Sequence, residues 1–306
     1  MPESSRVHQL SESNGTLYLD LMKKCLLASI YDENAWYVLG SRKWTTRFGK
    51  RSMTNAAFLK KSLESFASRL AWTKGLLIVR PGHHDARQAN SGALLSHTMI
   101  GLANLNNIQA CVEEVIRTGV EGDLMEAGVW RGGATIFMRA VLKAHGVTDR
   151  TVWVVDSFEG LPALTAETTA YKDDRSIDVA TLNGGGPMRL GLAVSLERVK
   201  ENFAKFDLLD DQVRFLKGWF RNTLHTAPIK SLSILRLDAD AYQSTMDVLN
   251  ALYNKVSVGG YVIVDDYNSW PHCKQAVDDF RKANGVQEAI IKIDEYAVFW
   301  KVSGAQ

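Results

Sequence analysis

From residue 94 onward, short apolar runs alternate with amphipathic stretches of 10 to 16 residues, and few architectures accept that order. GDLMEAGV (122–129), RTVWVVDSF (150–158), LSILRLDAD (232–240) and YVIVDD (261–266) read as strands, and QVRFLKGWF (212–220) opens as one. Helices are predicted over SHTMIGLANLNNIQACVEEVIRTG (96–119), closed by Gly119, and over GGATIFMRAVLKAHG (132–146), ending in Gly146. AVSLERVKENFAKFDL (193–208), YQSTMDVLNALYNKV (242–256) and PHCKQAVDDFRKANG (271–285) are three more, the second followed by a turn at Gly259 and Gly260. The last runs, EAIIKID and YAVFWKV, are separated by a short turn at Glu295 and predict a closing hairpin. The expected fold is therefore α/β: a doubly wound, mainly parallel sheet of seven strands with an antiparallel edge strand.

Upstream the pattern is helical. TLYLDLMKKCLLASIY (16–31) sets Leu17, Leu21, Met22, Leu26 and Ile30 close to helical period, and residues 54–79 have the same character. Residues 1–15, rich in Ser and Glu, are expected to be a disordered tail. The basic, aromatic segment 36–52 fits a solvated linker or a dimer contact better than a nucleic-acid surface. The chain divides at 93/94 into an N-terminal helical region, serving as lid or dimer contact, and an α/β domain over 94–306. A net charge of +2, from 36 basic and 34 acidic residues, is too balanced to argue for nucleic acid or an anionic membrane as partner, and neither is expected. No apolar run is long enough for a bilayer, no secretory h-region opens the chain, and three scattered cysteines make no C-x-x-C pair. Free thiols and a cytoplasmic location are expected.

Open α/β sheets bind ligands beyond the carboxyl ends of their strands, so the residues there matter most. EAGVWRGGAT follows the first strand and carries Glu126, Gly128, Trp130, Arg131, Gly132 and Gly133. Its G-x-x-x-G-G spacing differs from the G-x-G-x-x-G of dinucleotide sites. Asp156 ends the second strand, where an acid can accept from both ribose hydroxyls or merely cap the following turn. Glycine loop and strand-end acid together indicate an adenosine-containing ligand. LSILRLDAD then ends in Asp238 and Asp240, which strand alternation puts on one side about 6–7 Å apart. VIVDDY supplies Asp265 and Asp266. Such carboxylates either share a hard cation, Mg²⁺, Mn²⁺ or Ca²⁺ rather than zinc, or cap the helices after them. His83, His84, His97 and His272 fit surface or structural roles, with His272 near enough to the acids to touch a substrate. YKDDRS (171–176) and LNGGGP (182–187) lie in a long loop suited to a lid.

GDLMEAGVWRGGATIFMR, VDSFEGLP, LLDDQVRFLKGWFRNTL, LRLDADAYQSTMDVLNALY and GGYVIVDDY together resemble the macrocin and mycinamicin type of sugar O-methyltransferase, as does YLDLMKKCLLASIY near the start. The likeness covers roughly residues 17–33 and 94–300, in order, and leaves 35–90 as an elaboration. It implies a Rossmann-like fold, S-adenosylmethionine as methyl donor and a divalent metal, usually Mg²⁺. Under it, Glu126 to Gly133 would hold the methionine part of the donor, Asp156 and Ser157 the ribose, and Gly218 and Trp219 would lie near the adenine. Asp238, Asp265 and Asp266 would hold the metal. Asp240 or Asp238 would be the base, and Asp240 is chosen because a metal-bound carboxylate is a poorer proton acceptor. The acceptor would be a hydroxyl of a small glycosylated metabolite, or else a phenol or catechol, and the protein a homo-oligomer. Two other classes remain: a nucleotide-dependent oxidoreductase, disfavoured by the glycine spacing, and a non-catalytic binding protein, disfavoured by the intact acidic set.

Overall fold

The computed structural model describes residues 3–30, 34–38, 79–83, 96–161 and 192–304, with backbone only for 3–13 and the two short segments. Helix α1 (Glu3–Leu26) precedes strands β1 (Asn34–Val38) and β2 (Val79–His83), which pair antiparallel as a separate ribbon. Then follow α2 (Leu102–Arg117), β3 (Asp123–Ala127), α3 (Gly133–Ala144), β4 (Val152–Asp156) and α4 (Leu196–Lys205). After these come β5 (Val213–Lys217), the single turn α5 (Phe220–Thr223), β6 (Leu232–Leu237), α6 (Tyr242–Leu252), β7 (Val256–Val264), α7 (Pro271–Ala283), β8 (Ile291–Lys292) and β9 (Val298–Lys301). The seven later strands form one sheet in the order β5-β4-β3-β6-β7-β9-β8. β3 to β7 are parallel, and β9 runs antiparallel between β7 and β8.

The apolar runs explain this sheet. All six residues of β6 are buried, as a strand covered on both faces requires. Alternation then splits the core in two. Leu124, Val154, Ile234 and Ile263 join one cluster with side chains of α1 to α4, while Met125, Val155, Leu235 and Val262 join another with those of α6 and α7. Leu19, Met22, Leu26 and Leu27 of the N-terminal segment lie in the first cluster, so α1 packs into the core of the sheet domain.

Several boundaries differ from expectation. Residues 3–15, expected to be disordered, continue α1: a helix nucleated by a packed segment propagates at little cost through a stretch without proline. The segment expected as linker begins in β1, and His83 ends β2 rather than sitting in a loop. α2 starts at Leu102 instead of 96 because polar side chains capture the backbone there. Ser96 donates to the carbonyls of Leu26 (3.3 Å) and Thr98, and Ile100 N–H donates to Thr98 Oγ1. Gly259 and Gly260 make no turn before β7 but lie inside it, at a register shift against β6 between Leu232 and Ile234. Of the helical stretch expected over 54–79 only Val79 is described, as the first residue of β2, and the rest of it, with the loop at 171–187, lies outside the described residues.

Candidate active site at the strand ends

Strand order reverses between β3 and β6: from β3 the chain moves out through β4 to β5, then returns to β6 and β7. Ligands of doubly wound sheets bind at this switch point. Trp130 (φ 47°), Phe158 (57°) and Asp240 (56°) take left-handed conformations just past β3, β4 and β6. Such strain in non-glycine residues gathers where surrounding structure has a use for it.

On the β3 side, Glu126 is buried and its Oε2 has no hydrogen-bond partner among the described residues. Burial pushes its carboxyl up to about 7, against the opposing charge of Arg236. Gly128 lies so close to β6 that a Cβ on it would stand 1.8 Å from the Asp238 carbonyl oxygen. Gly133 abuts the 97–98 backbone, where a Cβ would meet His97 O at 2.4 Å. Gly132 is the N-cap of α3. Arg131 stacks on Trp130 and donates to Ser96 O at 2.6 Å, so its guanidinium braces the segment that ties α1 to the loop.

Asp156 serves the loops on both sides of it. It accepts from Val129 N–H (2.8 Å) and Phe158 N–H (2.7 Å), the second being the turn cap foreseen as an alternative. Burial raises its pKa despite these amides. Ser157 donates to Gly160 O at 2.9 Å. Gly218 N–H donates to Asp156 O at 2.9 Å, which brings Gly218 and the following Trp219 beside the same strand end.

On the β6–β7 side, one oxygen each from Asp238, Asp265 and Asp266 lie within 4.8 Å of one another. Asp240 is outside that group, because β6 ends at Leu237 and strand alternation no longer applies. Ala241 N–H donates back to Ala239 O (2.6 Å), closing a tight turn centred on Asp240. Burial and the charge of Asp238 raise the Asp240 carboxyl to about 7, and it shares a hydrogen bond with Asp266. Asp265 and Asp266 are pushed well above the usual carboxylate range by burial first and acidic neighbours second.

The helix-cap alternative fails on geometry. The N-caps of α6 and α7 are Ala241 and Trp270, and neither helix start accepts a side-chain cap. Asp266 instead accepts from Ser269 Oγ at 2.5 Å. Sequence reasoning passed over Arg236, a fully buried arginine of β6 that pairs with Glu126, Asp238 and Asp265. Its signal was a lone cation inside an apolar strand that ends in acids. His272 is buried in the first turn of α7, and His97 lies before α2 with its ring edge on Phe206.

Comparison with known proteins gives these positions a context. Residues 15–302 match the family described as macrocin O-methyltransferase (TylF). The chain is 41% identical over 295 residues to mycinamicin III 3''-O-methyltransferase of Micromonospora griseorubida, covering 96% of this chain and 100% of that one. It is 51% identical over 211 residues to the 8-demethyl-8-(2,3-dimethoxy-alpha-L-rhamnosyl)-tetracenomycin-C 4'-O-methyltransferase of Streptomyces olivaceus, covering 69% and 77%. The solved structure of the O-methyltransferase NovP superposes with a TM-score of 0.70 at 42% identity, covering 95% of this chain and 100% of that one.

Proposed function

The chain belongs to the macrocin O-methyltransferase family and is an S-adenosylmethionine-dependent O-methyltransferase, and from that premise we propose a metal-assisted transfer to a sugar hydroxyl of a glycosylated natural product. The acceptor class is supported by the two relatives named for methylating mycinamicin III and a rhamnosyl-bearing tetracenomycin. The observation that carries the metal is the convergence of Asp238, Asp265 and Asp266 within 4.8 Å, with no helix cap to account for them. An all-oxygen donor set suits Mg²⁺ or Mn²⁺.

The chain's own residues divide the work. Glu126, with its unpartnered buried oxygen, suits the donor's ammonium, and the loop through Gly128, Trp130, Arg131, Gly132 and Gly133 carries the methionine end. Asp156 and Ser157 would meet the ribose with the acceptor capacity their turn contacts leave, and Gly218 and Trp219 would flank the adenine. S-Adenosylmethionine supplies a sulfonium methyl as electrophile. Asp238, Asp265 and Asp266 would hold a divalent ion, which when bound would supply Lewis-acid stabilisation of charge developing on the acceptor oxygen. Asp240, held by its tight turn beside Asp266 with its pKa near 7, takes the hydroxyl proton as the methyl moves from sulfur to oxygen.

Residues 1–93 are proposed to elaborate the domain at 94–306 by acceptor capture and dimer contact, and Leu17 and Leu21 stand exposed on α1. No described helix is long and apolar enough to cross a membrane, and the free thiols Cys25, Cys111 and Cys273 suit a reducing cytoplasm. The test is transfer from labelled donor to a panel of glycosylated and phenolic acceptors, with and without Mg²⁺. Methylation of a glycoside that stops on chelation and returns with Mg²⁺ is expected. Full turnover after exhaustive chelation refutes the metal, and turnover on phenols alone refutes the sugar.

A further inference from the structure

Glu126 of β3 and Arg236 of β6 are direct cross-strand partners. Asp238 follows Arg236 by two residues, and Asp265 follows by two the Ile263 that pairs with Arg236 on the other side. One guanidinium thus stands at the centre of three carboxylates, with its side chain 0% exposed. Nη1 donates both to Glu126 and, at 3.0 Å, to Asp238 Oδ2, while Nη2 donates to Asp265 Oδ1 at 2.5 Å. Nε is buried with no partner among the described residues. Burying this cation is costly, and its described bonds all go to acids at the strand ends.

We infer that Arg236 is a positioning residue shared by two ligand sites, its forked nitrogens setting Glu126 for the donor and Asp238 with Asp265 for the ion. The inference rests on reading those two aspartates as ion ligands. Because Nη1 serves Glu126 and Asp238 at once, a change in its hold on one alters its hold on the other. Lysine keeps the charge but has no fork, so it cannot hold all three acids in this arrangement. A merely structural cation would matter for stability and not for this division of contacts.

The experiment measures Mn²⁺ binding by electron paramagnetic resonance without donor, and S-adenosylhomocysteine binding by calorimetry without metal. The proteins are native chain, Arg236→Lys, Arg236→Gln, Glu126→Gln, Asp265→Asn and Glu126→Gln/Arg236→Lys, with circular dichroism and thermal unfolding as fold controls. Arg236→Lys should weaken both ligands by roughly tenfold or more while unfolding closer to the native midpoint than Arg236→Gln. Glu126→Gln should weaken Mn²⁺ by about threefold or more in the native background and by clearly less beside Arg236→Lys. Native-like affinities in Arg236→Lys, weakening of one ligand alone, or an equal Glu126→Gln effect in both backgrounds would overturn the shared role. Should the Arg236 variants not fold, the single acid variants decide. Mn²⁺ affinity changed by Glu126→Gln together with S-adenosylhomocysteine affinity changed by Asp265→Asn supports sharing, and any other result overturns it. A native chain that binds no Mn²⁺ overturns the ion reading and the shared role together, whereas intact Mn²⁺ binding with insensitive variants overturns Arg236 alone.

Discussion

Gly128→Ala isolates the contact between the donor loop and the acidic cluster. Gly128 has φ +90°, and an added Cβ would sit 1.8 Å from Asp238 O, where real contacts essentially never fall under 3.0 Å. The strand ends must therefore part by at least 1.2 Å, the difference of those two distances. A misplacement of ~1 Å in a reacting geometry costs about 100-fold in rate. The left-handed backbone adds about 1–2 kcal/mol against any side chain. Gly146→Ala is the matched control, since Gly146 also has positive φ (+65°) but a Cβ there meets nothing within 4 Å. Both variants should lose the backbone increment in thermal unfolding. Gly128→Ala alone should lose about 100-fold in kcat/KM on the best acceptor of the panel, measured on folded protein. Turnover within about threefold of Gly146→Ala, roughly 0.7 kcal/mol of barrier, would refute the claim that Gly128 sets the position of Asp238.

Asp265→Asn and Asp266→Asn should each cut turnover by more than about 100-fold; S-adenosylhomocysteine should still bind both in calorimetry, at native affinity in Asp266→Asn and measurably weakened in Asp265→Asn, whose partner Arg236 also holds Glu126, and near-normal turnover in both would reduce the acids to structural roles. His97 is held at a pKa of about 4, below the ordinary 6.5, by burial first and then by Lys205 and Arg131. Its unfolded form takes the proton first, so its stabilising contribution is complete above pH 6.5 and fades as pH falls towards 4. The difference in unfolding temperature between native chain and His97→Asn should shrink over that window, and a flat difference contradicts the assignment. Burial raises the thiol of Cys111 to about 12 and that of Cys273 well above its ordinary value, while Cys25 is only half-buried. Iodoacetamide on native protein should therefore label Cys25 first by mass spectrometry, and early modification of Cys111 would contradict its burial.

The sheet was legible because its strands must satisfy two faces at once. LSILRL and YVIV leave no polar side for solvent, and the intervening amphipathic runs supply the covering helices. Strand-end acids were legible from the same rule, since Asp156, Asp238 and Asp265 follow directly from where the apolar runs stop. Interactions fixed by register were not legible. Arg236 meets Glu126 110 residues away in sequence, and only the β3–β6 pairing puts them opposite. The tight turn at Asp240 was not legible either, because strand alternation stops at Leu237, yet it leaves Asp240 beside Asp266 and Asp238. Gly259 and Gly260 read as a turn by composition, yet backbone bonds to Val302 hold them in β7 while the register against β6 shifts past them. Helix α1 was cut short because polar composition was taken for disorder, when a packed C-terminal half carries the rest.

The acids at the switch point also constrain one another. Glu126, Asp238, Asp240, Asp265 and Asp266 gather at the ends of three adjacent strands, with Arg236 paired to the first, second and fourth of them, and like charges so placed repel. A structural role offers little in return, because the helices that start beside them are capped by neither Asp240 nor Asp266. Replacing these acids by apolar residues of similar size would suit a strand end designed for stability alone. The proposed cationic ligands on either side of Arg236 would relieve that repulsion: an ammonium-bearing donor against Glu126, and a hard ion against the aspartates. On that proposal the narrow approach of Gly128 to Asp238 would keep the two cationic ligands, and hence methyl and hydroxyl, within reach of each other.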